Sequence, residues 1–182
     1  MPKVPDFLTR YYAAGENPYL SLNDYSPEQA NNIKKAHCKR NGIGGFYAEA
    51  NYLAERRKIE KWIYAQLLSK GGKPERDVPV YMTLGESPAG EYDIRADIQK
   101  NAVELKIPLK GLDLLAITFT FPDSMYKIIL NDDGECIDGG RTNTPQVYLY
   151  HEIESVMEKY KNYLADHYIE AQVWNRSMLP TI

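Results

Sequence analysis

Three arginines, two tyrosines and a few oxygen-bearing side chains are the residues of this chain that could handle an anionic ligand. Arg10 lies in FLTRYY, Arg56 in YLAERRKIEKW, and Arg141 follows an acidic, glycine-laden run. A guanidinium is a planar fork of donors matched to phosphate or carboxylate. Tyr12 and Tyr81 offer rings on which a base or sugar could stack. Thr83 shares a strand face with Tyr81, and Glu86 follows in GESPAG, a loop position suited to acid–base work. Asp123 and Ser124 form a turn after LDLLAITFTF, where a strand, a tight turn and a helix start would present free N–H groups to an anion. Taken together, Glu86 is the candidate acid or base, and Arg10, Tyr12, Arg56, Tyr81, Thr83, Asp123, Ser124 and Arg141 are the candidate ligand-binding set. Arg10, Tyr81 and Glu86 are expected around one pocket. The matching chemistry is transfer or hydrolysis on a nucleotide or phosphorylated ligand.

Each residue also has a plainer reading. Arg10 between large side chains could pair with a carboxylate at a sheet edge. Arg56, four residues after Tyr52 and three before Ile59, is either a snorkelling stem on an apolar seam or a cation aimed into a cleft. Glu86 could be a solvated turn acid, and Asp123 and Ser124 could simply cap a short helix. Other motifs fail on spacing. Residues 41–45, NGIGG, have the glycines of a phosphate loop but neither GxxxxGK[ST] nor GxGxxG. Asp132-Asp133-Gly134-Glu135 does not fit a calcium loop, and His37 with Cys38 lacks further ligands. No metal is expected and no cofactor is specified.

These residues need elements to hold them. Residues 47–70 carry the strongest helical pattern: Tyr52, Ile59, Ile63 and Leu67 recur at helical spacing, and Gly71-Gly72 supplies a left-handed stop. A second helix is expected over 27–40, with Ser26 and Gln29 as a capping box. Strands are expected at 7–12, 78–84, 102–109, 112–121 and 146–150, and a short helix after Ser124. Thr118 and Thr120 alternate with Phe119 and Phe121, giving one hydroxyl-bearing and one aromatic face. A last helix from about His151 runs through Tyr160 towards Ile169. The implied fold is α+β: a small mixed or antiparallel sheet on a long central helix, one domain over 1–160, and a C-terminal helical extension and frayed tail over 161–182. That extension could dock another copy or a protein partner, which keeps a non-catalytic assembly module open beside the enzyme.

Composition narrows the class. A chain of 182 residues that is 43% hydrophobic and 26% charged can bury a real core. Its net charge of −3 gives no whole-chain case for nucleic acid. Fifteen tyrosines suit half-buried surfaces and ring stacking. Cys38 and Cys136 form no CxxC, no window approaches a membrane span, and MPKVPDFLTR lacks a signal-peptide pattern, so a reduced, cytoplasmic setting is expected.

Several strings occur in one order: FLTRYYAAGENPYLSLNDYSPEQA, YLAERRKIEKW, KGGKPERDVPVYMTLGES, KIPL, FTFPDSM and QVYLYHEIE. Over most of residues 7–160 this pattern resembles a family of small uncharacterised bacterial proteins. The resemblance implies no activity, cofactor or partner. A fainter likeness, of fold only, is to DarT-like ADP-ribosyltransferases, for whose catalytic glutamate Glu86 and Glu152 are the candidates.

Overall fold

The computed structural model describes residues 3–41, 50–89, 93–95, 102–125, 129–130, 136–137 and 146–181. Six strands form one sheet: β1 (Phe7–Ala13), β2 (Val80–Leu84), β3 (Ala102–Pro108), β4 (Ile117–Thr120), β7 (Val147–Tyr148) and β8 (Glu170–Val173), in the order β3-β1-β2-β8-β4-β7. Every pairing is antiparallel. Two short strands, β5 (Ile129–Leu130) and β6 (Cys136–Ile137), form a separate ribbon. The described helices are α1 (Pro27–Asn41), α2 (Tyr52–Ser69) and α3 (Ile153–Lys159).

The two faces of the sheet differ in chemistry, because side chains alternate along each strand. Leu8, Val80, Met82, Leu84, Ile117, Phe119, Ala171 and Val173 pack into one apolar cluster with Ile153, Val156 and Met157 of α3. The opposite face is polar yet buried. Register places Thr9, Thr83, Glu170 and Thr120 in one row across four strands, and Tyr81, Gln172 and Thr118 in the next. All seven are buried. Helix α2 packs on this side, where Ile63 and Leu67 meet Val147, Leu149 and Trp174.

Local signals explain the helix ends. Ser26 and Gln29 exchange backbone and side-chain hydrogen bonds at 3.2 and 3.3 Å, the expected capping box. At the end of α2, Gly72 N–H donates to Leu67 O at 2.9 Å and Gly71 N–H to Leu68 O at 3.0 Å, with Gly71 at φ 83°. This is the Schellman arrangement, and the positive φ is what calls for glycine.

The structure departs from the sequence-based expectations at several places. The C-terminal helical extension does not exist: after α3 the chain turns through residues 161–166, and Glu170–Val173 is an interior strand between β2 and β4. Residues 169–174, IEAQVW, alternate apolar and polar side chains, and strand pairing buries both sets. Nor is the tail frayed, since Tyr19 Oη donates to Pro180 O at 3.0 Å and Arg176 pairs with Asp24 at 2.8 Å. Of the short helix expected after Ser124, Met125 lies in a turn, residues 126–128 lie outside the described residues and Ile129–Leu130 form β5, while the expected strand over 112–121 opens with a 3-10 turn at Leu114–Ala116. Finally, α2 is long but not central: the larger apolar cluster lies across the sheet from it, under α3. Within the NGIGG stretch, residues 42–45 lie outside the described residues.

Candidate functional site

Between α2 and the polar rows lies a connected set of buried charges and hydroxyls. Helical spacing stacks Tyr52, Arg56 and Glu60 on successive turns of α2. Arg56 Nη1 donates to Tyr52 Oη at 2.7 Å and Arg56 Nε to Glu60 Oε1 at 3.3 Å. Its guanidinium also lies over the Tyr81 ring, 3.9 Å from the centroid. Glu60 Oε1 accepts from Tyr81 Oη at 2.8 Å, and Glu60 Oε2 from Asn23 Nδ2 at 2.5 Å. Asn23 in turn accepts from Arg57 Nε at 3.1 Å. Burial opposes the charge on Arg56, but Tyr52, Tyr81, Glu60 and Glu170 outweigh it, so the guanidinium holds its proton more tightly than usual. Burial raises the phenols of Tyr52 and Tyr81 as well.

Glu60 has both oxygens engaged, whereas Glu170 is held differently. It projects from β8 beside the turn that leaves β4, and its Oε2 accepts from Ser124 N–H at 2.7 Å. Asp123 Oδ1 accepts from Met125 N–H at 2.6 Å and Oδ2 from Tyr168 Oη at 3.4 Å. Burial and then the neighbouring Asp123 charge push Glu170 up to about 8, with Ser124 and Arg56 opposing. Glu170 thus keeps its proton at neutral pH and can give it up to a modestly stronger base.

The structure gathers some of the sequence candidates and separates others. Arg56, Tyr81, Thr83, Asp123 and Ser124 all border the polar layer around Glu170. Arg10 does not act as a free clamp: Nε, Nη1 and Nη2 donate to Pro18 O at 2.6 Å, Tyr81 O at 2.9 Å and Leu20 O at 3.3 Å. Pairing between β1 and β2 covers only Leu8–Leu84 and Thr9–Thr83, so Arg10 stands in for the backbone donor that β2 lacks at Tyr81. Burial and then Arg56 lower Arg10 to about 10, which leaves it charged at neutral pH. Tyr12 lies opposite Val103 of β3, in the part of β1 beyond its pairing with β2.

Glu86 lies past the far end of β2 from Tyr81. Its side chain is 55% exposed and ion-paired with Lys106, so Arg10, Tyr81 and Glu86 do not share a pocket. It lines instead a cleft of about 520 Å³ with Pro5, Ser87, Arg95, Leu164 and Tyr168. Glu152 is bound to Lys70 at 2.6 Å and to Leu149 N–H at 2.7 Å, which makes it a tie between helices. Arg141 lies outside the described residues. Docking through a C-terminal helix has no helix to use.

Glu170 is the residue that sequence reasoning missed, because residues 161–174 were read at helical period. The period-2 alternation of IEAQVW was the available signal. No helix among the described residues is long and apolar enough to cross a membrane. No family model, curated protein or solved structure matches the chain.

Proposed function

We propose that this chain is an acid–base enzyme, a transferase or hydrolase acting on a nucleotide or phosphorylated ligand, with Glu170 as proton donor. One observation carries the reading: two rows of buried polar side chains cross one face of the sheet, and at the start of β8 a carboxyl, an acidic turn and a buried arginine converge. Burying such groups costs several kcal/mol unless each is paired, and packing alone would be met by apolar side chains. In this reading Glu170 protonates the leaving oxygen, Arg56 draws the anionic part of the ligand, and Asp123 keeps the proton on Glu170 until it is needed. Ser124 N–H and its hydroxyl then steady the carboxylate that forms.

The test is a thermal-shift and turnover screen with NAD, nucleotides and sugar phosphates, products being read by mass spectrometry. NAD comes first because of the resemblance to ADP-ribosyltransferases. At least one compound is expected to raise the melting temperature by mass action and to be consumed. Glu170→Gln should retain binding and lose about 10²–10⁴-fold in turnover. If no compound binds, or if Glu170→Gln turns over as the parent does, the reading is wrong.

A further inference from the structure

The buried polar rows contain a hydrogen-bond chain whose direction follows from the donor chemistry of Trp174 and the orientation of the Gln172 amide. Trp174 Nε1 can only donate, and it lies 2.8 Å from Thr118 Oγ1. The Thr118 hydroxyl accepts there and donates its own proton to Gln172 Oε1, also at 2.8 Å. With the amide oxygen on Thr118, Gln172 Nε2 donates to Thr120 Oγ1 at 3.0 Å. Trp174, Thr118, Gln172 and Thr120 are all fully buried. Each link passes donation one way, and the last hydroxyl proton, on Thr120, has no acceptor within hydrogen-bond distance among the described residues. Thr120 is the register partner of Glu170 on the same face. Such opposed pairs have Cβ atoms about 4.5–5.5 Å apart, which a rotamer change of either side chain can bridge.

We infer that Gln172 and Thr120 are positioning residues for Glu170: the chain running from Trp174 holds the Thr120 hydroxyl as a donor that turns to the carboxylate once its proton has left. The inference rests on the role proposed for Glu170 and adds to it a means of stabilising the ionised half of its cycle. A reversed chain would present a lone pair to that carboxylate and oppose its formation. The charged and titratable groups facing Glu170 are Asp123 in the turn, Arg56 and Tyr52 on α2 and Tyr81 on β2, with Glu60 behind Arg56. None of them belongs to the chain, so its effect can be separated from theirs.

The experiment titrates the intact, ligand-free protein by NMR, following the Glu170 side-chain carboxyl carbon and the two indole N–H signals, with Trp62→Phe for assignment. In the parent protein the Trp174 N–H should titrate with the same midpoint as Glu170 and the Trp62 N–H should not. Thr120→Val should raise the Glu170 midpoint by roughly one unit, since a donor to the charged form is lost, and abolish the co-titration at Trp174. Thr120→Ser should restore both. Should Thr120→Val not fold, Gln172→Met interrupts the chain one link earlier and must also silence Trp174. A Trp174 response that persists in either variant reflects only the field of the carboxylate and overturns the inference. So does an unchanged Glu170 midpoint in Thr120→Val. No ligand enters this measurement, so its failure is distinct from a failure of the turnover screen.

Discussion

Arg56 and Glu60 illustrate how a buried ion pair is legible only in part. Helical spacing marked Arg56 as lying along the apolar seam of its helix, but a period-3.6 pattern cannot say what faces a side chain from a strand far away in sequence. Tyr81 supplies that, both as a ring under the guanidinium and as a donor to Glu60. Removing one charge from such a pair strands the other, so Arg56→Met is expected to cost about 3–5 kcal/mol in urea denaturation. Arg56→Met combined with Glu60→Met should recover much of that loss, because the second change removes the stranded charge. Glu170 gives the opposite signature. Its pKa of about 8 lies above the ordinary 4.5, so the folded state binds more protons between those values. The stability from this group is complete below about pH 4.5, declines as pH rises and is gone above about pH 8. Unfolding free energies from urea titrations between pH 5 and 8 should therefore fall relative to Glu170→Gln, by at most ~1.4 kcal/mol per pH unit. A constant difference would show that Glu170 does not titrate there.

At the scale of elements, sequence reading succeeded where one local rule decided the outcome. The capping box at Ser26 and the glycine stop after α2 each depend on residues within a turn of one another, and both were readable. Gly71→Ala should therefore cost about 1 kcal/mol of unfolding free energy in urea denaturation, as a side chain is forced to positive φ. Strands β1, β2 and β3 were readable too, because alternation and flanking turns agreed. The reading failed at β8, where Tyr160, Leu164 and Tyr168 continue a helical period beyond the true end of α3. The chain turns after Tyr160, with Asp166 N–H and His167 N–H donating to Tyr163 O at 3.1 and 2.9 Å. The hydroxyl face of Thr118 and Thr120 was anticipated, but the carboxyl and amide opposite it came from β8 and so were not.

For the whole molecule the decisive fact is where β8 lies. A chain ending at Tyr160 lacks the strand that joins β2 to β4, together with Trp174 and the arginine that, with Arg76, flanks Asp24. Such a truncation is expected to lose cooperative unfolding and dispersed amide signals, and a folded product would contradict this account. Asp24 makes the same point on a smaller scale: Arg76 and Arg176 both converge on its carboxylate, tying the turn at Leu22–Asp24 to the loop before β2 and to the 3-10 turn after β8. In the folded sheet β8 fills a slot one strand wide, pairing with β2 on one edge and β4 on the other. Any extended segment with matching alternation could enter that slot, and the commonest such segment in a concentrated refolding mixture is β8 of a neighbouring copy. Dilution during refolding should therefore favour the monomer over exchanged dimers.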